Sequence, residues 1–376
     1  MALAMVLFLL LALAGATAAG GAETDRGWIS YTNEVVPSVP ESINIIKIDR
    51  SHPNLRFCTT LGGGGVFGMG IVSEQVKSLP PGTGTPLAAI NGDFYDKAKA
   101  YPGRPRDIQI RNGEVLTHPT GHTCFWIDPG GKPQMTNILS RFRVVWPNGQ
   151  TTPFSMNVER TNGMAVLYTS RLGNSTLTAG GTEYVLEQCP GQDWVPLHAG
   201  RVYTARVRQV SNAGNTPLDP QVAVLSLAPE LSGRVPALKM GDTIKLATES
   251  IPNLLGVDMA IGGGPALVRD GQAMTWKGWI HLPNPRTAIG WNKQYIYLVV
   301  VDGRQLDLSL GMTFTQLANY LVGMGCEQAM NLDGGGSATL WAFGTVRNSP
   351  SEGQERPAPN ALVVVDPSAN AAQASK

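Results

Sequence analysis

At 376 residues the chain is long enough to bury a substantial core, as one large domain or two ordinary ones. Its 29 Lys and Arg offset 28 Asp and Glu, and a formal charge of +1 excludes a broad field for nucleic acid or anionic lipid, so any anion must be held locally. Only 15% of residues are charged while 44 are Gly and 27 are Pro, a composition that predicts short strands and tight turns rather than long surface helices.

Met1–Ala18 carries no charged side chain and ends in Ala16-Thr17-Ala18, which reads as an apolar h-region before a small-residue cleavage site. A signal peptide is therefore predicted over residues 1–19, placing the mature chain in a secreted, periplasmic or cell-surface location. The missing n-region Lys or Arg leaves an uncleaved anchor as the other reading. Residues 20–40 form a polar, Pro-containing lead-in, and residues 367–376 an Ala-rich tail expected to be disordered. No linker composition and no internal repeat divides what lies between, so residues 41–366 read as one domain. The expected fold class is α+β (mixed α/β), a β-rich single domain with a mixed central sheet and few helices. No stable membrane span is expected after signal cleavage, because the longest later apolar run has strand length.

Candidate strands follow in order: Ile43–Ile48, Leu87–Ile90, Ile108–Arg111, Cys124–Ile127, Arg141–Trp146, Arg201–Val210 and Val222–Leu227. Gly62–Gly65 reads as a flexible loop. The strand ending at Ile90 delivers Asn91-Gly92-Asp93-Phe94-Tyr95, whose amide, carboxylate and phenol suit sugar hydroxyls, although an Asn-Gly hairpin turn explains the same residues. From about Gly121 to Pro252 no acids, bases or histidines cluster, and this stretch reads as scaffold or substrate wall. The widely spaced Cys58, Cys124, Cys189 and Cys326 exclude a Cys-x-x-Cys zinc site, while disulfides and buried free thiols both remain open.

The carboxy-terminal third is richer. Gly262-Gly263-Gly264-Pro265 follows a strand, and Trp276, Trp279 and His281 offer a stacking wall for a sugar. Pro285-Arg286-Thr287 presents a guanidinium able to grip phosphate bidentately. The strand Tyr295–Val301 delivers Asp302-Gly303-Arg304. A helix is predicted from Thr313 to about Gly323, with Phe314, Leu317, Ala318, Leu321 and Val322 on one face, a Thr313/Gln316 capping box, and Gly323 or Gly325 as its left-handed stop. The segment Ala329–Leu332 then delivers Asp333-Gly334-Gly335-Gly336-Ser337. The Asp302-to-Asp333 spacing fits a strand, crossover helix and parallel strand, which would put both acids at one sheet edge. Three consecutive glycines can aim backbone amides at an anion, or can simply make a tight turn; without a following Lys, a nucleoside triphosphate is disfavoured.

Taken together, Ala89-Ile90-Asn91-Gly92-Asp93-Phe94, Gly262-Gly263-Gly264-Pro265, Pro285-Arg286-Thr287-Ala288-Ile289-Gly290, Asp302-Gly303-Arg304, Ser309-x-Gly311, Asn331-Leu332-Asp333-Gly334-Gly335-Gly336-Ser337 and Glu355-Arg356 resemble the phosphodiester glycosidase family, in that family's order. The resemblance runs from about residue 42 to 366 and is loose between about 121 and 250. It implies a mixed α/β domain that hydrolyses a sugar-1-phosphodiester, of the N-acetylglucosamine-1-phosphodiester kind, to free sugar and phosphomonoester.

Asp302, Asp333, Arg286 and Glu355 are the catalytic candidates. Asn91, Asp93, Gly263, Gly264, Thr287, Arg304, Asn331, Gly334, Gly335, Gly336, Ser337 and Arg356 are the substrate-binding ones, with Glu355 and Arg356 acting as an orienting pair. The expected partner is a carbohydrate or glycan phosphodiester, and no cofactor is called for. Asp302, Asn331 and Asp333 do offer the hard oxygens that Ca²⁺ or Mg²⁺ accept, but no calcium-loop spacing accompanies them. Two rival readings stay open: a glycosidase acting on peptidoglycan or exopolysaccharide, and a non-catalytic surface carbohydrate-binding protein. Two Arg side chains converging near the glycine loop would favour phosphate, whereas an aromatic groove flanked by two carboxylates would favour an ordinary glycoside.

Overall fold

A computed structural model describes residues 26–36, 39–95, 101–276 and 282–368. The signal peptide reading, Trp279, His281 and residues 369–376 of the tail lie outside them.

The strand Tyr295–Val301 shows why the chain folds as it does. Ile296, Leu298 and Val300 enter one core and Tyr297, Val299 and Val301 enter another, so the run is apolar throughout because both faces of its sheet are covered. That sheet has seven strands in the spatial order Ile29–Val36, Glu41–Asp49, Tyr295–Val301, Arg286–Trp291, Gln328–Asn331, Ala266–Arg269 and Gln272–Ala273. Every neighbouring pair is antiparallel. On one face lies the helix Phe314–Gly323, which buries Leu317, Ala318 and Leu321. It starts with the predicted capping box, in which Thr313 Oγ1 accepts from Gln316 N and Gln316 Oε1 accepts from Thr313 N, and Gly325 supplies the left-handed residue beyond its end.

The other face packs on a five-stranded sheet that includes Thr85–Asn91, Ala361–Asp366 and Leu340–Ala342. Phe125, Met259 and Ile261, from a second five-stranded sheet with Met259–Gly262 at its centre, close the same core. An eight-stranded sheet, running in sequence from Leu139–Val145 to Thr243–Ile251, builds a further core around Phe142, Trp146, Tyr184 and Leu246.

Two expectations are corrected. The central sheet is antiparallel rather than mixed; among the described residues the parallel pairing is Ser155–Met156 with Ala165–Tyr168, at the rim of the eight-stranded sheet. The stretch read as a polar, Pro-containing lead-in contributes the edge strand Ile29–Val36, held by eight residues of register with Glu41–Asp49 and by Ile29, which is fully buried. No described helix is long and apolar enough to cross a membrane. All four cysteines are free; burial pushes the Cys58 and Cys326 thiols up to about 12.

Candidate active site

Asp302 and Asp333 follow the strands Tyr295–Val301 and Gln328–Asn331, which are not the parallel neighbours expected. Arg286–Trp291 lies between them and is antiparallel to both. Two strands antiparallel to a common partner run the same way, so their carboxyl ends share one sheet edge with the start of the middle strand. Arg286 pairs with Val301 there, and Ala288 with Asn331. The glycine loop, Asp302 and Arg286 are thus gathered at one edge by three strands rather than two.

At that edge several candidate ligands of a substrate serve the fold. Asp302 is buried, and both its oxygens are occupied: Ser42 Oγ and Asn44 Nδ2 donate to Oδ2 at 2.8 and 3.0 Å, and Ser349 N and Asn348 Nδ2 donate to Oδ1 at 2.8 and 3.2 Å. Burial raises its pKa above the usual carboxylate range and the four donors pull it back. A carboxylate so saturated has no lone pair free for a nucleophile's work, which corrects its sequence-based role. Asn91, also buried, clamps the loop: Nδ2 donates to the Asp333 carbonyl, while Oδ1 accepts from Thr287 Oγ1 at 2.7 Å and Thr339 N at 3.1 Å. Thr287 and Ser337 are fully buried as well, and Asn331 donates from Nδ2 to the carbonyls of Gly264 and Leu332. Asp93 is buried beneath the site, accepting from Phe94 N and Asp107 N, and desolvation pushes its pKa up to about 7.

The glycine loop is a single 3₁₀ turn, Gly335–Ser337. Gly334 N donates to Asp333 Oδ1, Gly335 N to the Pro285 carbonyl and Ser337 N to the Gly334 carbonyl, so these amides are spent on the turn itself and not on an anion. What the glycines provide instead is room. A Cβ at Gly336 would sit 2.1 Å from the Arg356 guanidinium, and one at Gly335, where φ is +61°, would sit 3.0 Å from that of Arg304.

Arg304 is otherwise held by Asn284 Oδ1, and Arg286 by the carbonyls of Met312 and Leu282 while its guanidinium stacks 4.0 Å from the centre of the Phe314 ring. Burial, and then the Arg304 charge, lowers the Arg286 pKa to about 10. Arg356 pairs with Glu352, and Glu355 turns the other way to accept from the backbone and hydroxyl of Ser73. The expected Glu355–Arg356 orienting pair is therefore not formed, and Glu355 caps the helix Val72–Lys77 instead. Asp333 is half-buried. Desolvation raises its pKa, while the nearby Ser337 hydroxyl, the Gly334 N–H donor and the charges of Arg356 and Arg106 lower it, although the Ser337 hydroxyl completes no hydrogen bond.

Beside this edge opens a cleft of about 560 Å³. Phe94, Trp276 and Phe314 supply its aromatic surface, Gly263 and Gly264 its floor, and Arg106, Arg286 and His122 its titratable groups. No carboxylate is among its described lining residues; Asp333 lies outside that lining, near enough to Arg106 to feel its charge. Arg106 and His122 were missed by the sequence reading. Arg106 lies 4.3 Å over the Phe94 ring and donates to the Gly263 carbonyl at 3.2 Å. His122 comes from the stretch read as scaffold. It precedes the strand Thr123–Ile127 as Asp107 nearly precedes Gln109–Arg111, and both strands flank Met259–Gly262 antiparallel to it, so these residues and Gly263 again share one edge. Among the described residues no three His, Cys, Asp or Glu side chains are grouped so as to hold a metal ion.

The fold and the site define a β-rich protein with a cationic, aromatic-walled cleft. Over residues 199–365, less than half of its length, the chain matches the phosphodiester glycosidase family. An uncharacterised SPbeta prophage-derived protein, YomE, of Bacillus subtilis (strain 168) is 34% identical over 100 residues, a stretch covering 26% of this chain and 15% of the relative. Two crystal structures share the fold. A hypothetical protein from Synechocystis superposes with a TM-score of 0.70 at 16% identity, covering 90% of this chain and 62% of its own. A candidate exported protein of Burkholderia pseudomallei K96243 does so with a TM-score of 0.64 at 19% identity, covering 86% and 74%.

Proposed function

We propose that the chain is an exported hydrolase that cleaves a sugar-1-phosphodiester, of the N-acetylglucosamine-1-phosphodiester kind, to free sugar and phosphomonoester. The observation that carries this reading is the arginine set. Arg106, Arg286 and Arg304 gather around the cleft and the glycine loop, and among the described residues none of the three makes an ion pair. Arg106 and Arg286 are partly buried on neutral partners, with the exposed Arg304 charge acting on Arg286, and an anion placed between such guanidinium groups offsets the cost of keeping them there.

The leaving phosphomonoester has a last pKa near about 6, so it departs without strong acid assistance. The demands on the protein are to hold the diester's charge and to stabilise an oxocarbenium-like sugar. Arg286, Arg304 and Arg106 meet the first demand. The Asp333 carboxylate meets the second, while Phe94, Trp276 and Phe314 offer ring faces to the sugar. The reading as an ordinary envelope glycosidase fits less well, since that reaction needs a pair of carboxylates across the scissile bond and, with both Asp302 oxygens engaged by four donors, Asp333 has no second free carboxylate facing it at this edge among the described residues.

The test is hydrolysis of a synthetic N-acetylglucosamine-1-phosphodiester, with the matching non-phosphorylated glycoside and Asp333→Asn in parallel. Cleavage of the diester alone, lost in a folded variant, is expected. Cleavage of the glycoside alone moves the assignment to the envelope polymers, and tight binding of glycans without any product moves it to a lectin-like role.

A further inference from the structure

We propose that His122, oriented by Asp107, is the general base that activates the attacking water in this cleft. The assignment rests on the hydrolase reading above and names the proton acceptor that reading lacks. Among the described lining residues His122 alone carries a side-chain nitrogen lone pair that can accept a proton, the other polar members being guanidinium, amide and hydroxyl groups.

Its ring is fixed from behind. Asp107, fully buried, accepts from His122 N at 3.1 Å and faces His122 Nδ1 at 3.2 Å through the same Oδ2. Thr120 Oγ1 lies 2.9 Å from Nδ1 and donates its own proton to Asp107 Oδ2 at 2.6 Å. With the hydroxyl proton spent on the carboxylate, both oxygens around Nδ1 are acceptors, so Nδ1 carries the hydrogen and Nε2 the lone pair. The side chain is 52% exposed, on the cleft side. Asp107 is in turn held by Ile108 N, Thr120 N and Cys124 Sγ, which keeps the carboxylate from following the ring. His118 differs: its Nδ1 accepts from Met156 N and sits 3.3 Å from Arg104, and burial and that charge lower its pKa to about 4, a structural histidine.

In the reaction Nε2 takes one proton from water as the water oxygen bonds to the anomeric carbon. The bond from that carbon to the phosphate oxygen breaks with its electron pair, which stays on the departing phosphomonoester, and the imidazolium later returns its proton to solvent. The groups that face or back the ring are Asp107 and Cys124 on its own side, Arg106 and Arg286 in the cleft, and Asp93 and Arg104 beyond Asp107.

The experiment is a pH profile of kcat/KM on the diester for the full chain, His122→Gln and His122→Ala, the last with and without added imidazole. His122 is half exposed, so both variants should fold; a thermal melt checks this. Expected are a kcat loss of about 100-fold or more with KM within about threefold, disappearance of the acidic limb of the profile, and partial rescue of His122→Ala by imidazole. A folded His122→Gln that keeps kcat within about threefold, or that loses rate yet retains the acidic limb, overturns the assignment while leaving the hydrolase reading standing. Wild-type protein that cleaves no diester overturns the hydrolase reading, and the base falls with it.

Discussion

Asp302→Asn separates a carboxylate that reacts from one that holds the fold. Asn at this position keeps one acceptor oxygen and turns an NH₂ toward two of the donors that now point at Asp302, from Ser42 and Asn44 or from Asn348 and Ser349. Each hydrogen bond to a buried charge is worth about 1.5–3 kcal/mol, so losing two costs about 3–6 kcal/mol before any relaxation. Rotation of Asn348 or entry of a water would leave a net cost of about 3–4 kcal/mol, or about 6–8 °C in Tm at roughly 2 °C per kcal/mol for a chain of this size. The assay is a thermal melt paired with kcat measured well below the midpoint. We expect the melt to shift while kcat stays within about tenfold of wild type, in contrast to Asp333→Asn. A variant that melts with wild type and shows no turnover would refute the reasoning and return Asp302 to the reacting centre.

Two further expectations concern the loop and the buried acid beneath it. Gly336→Ala would place a methyl 2.1 Å from the Arg356 guanidinium, the far end of a flexible side chain, so it should displace that arginine at little cost in stability, within about 1 kcal/mol, and raise KM for the diester about tenfold. Asp93 holds in the folded chain a proton that the unfolded chain releases above its ordinary 3.8, because desolvation lifts its pKa to about 7. Wild-type stability relative to Asp93→Asn should therefore fall as pH rises from about 4 to about 7, by up to about 4 kcal/mol, and level off above; denaturant titrations across that window would refute this with a flat or rising difference.

Much of this arrangement was legible in local pattern. The strands from Ile43–Ile48 to Tyr295–Val301 and the helix after Thr313 are readable because short β-branched apolar runs and a capping box are short-range signals. The common edge of Asp302 and Asp333 was also readable, although the reason was wrong. A strand, helix and strand run the same way whether or not a third strand lies between, and the intervening Arg286–Trp291 comes earlier in the chain. What sequence could not supply was the direction of each side chain. Asp302 looked catalytic because the residues that saturate it, Ser42, Asn44, Asn348 and Ser349, are distant in sequence and of types that carry no signal alone. His122 was passed over because its acid, Asp107, lies in a different strand segment and Arg106 and Arg286 meet it only across the cleft.

The pairing of early strands with late ones bears on how the chain can be divided. The span that carries the family pattern begins at residue 199, yet Tyr295–Val301 pairs with Glu41–Asp49 and Ala361–Asp366 with Thr85–Asn91. A fragment starting at 199 would present two long apolar strand edges to solvent, the arrangement that invites aggregation, and would lack Arg106, His122 and both early partners of Asp302. The matched segment is thus a stretch of text rather than a folding unit, and function belongs to the chain from its first strand to its last.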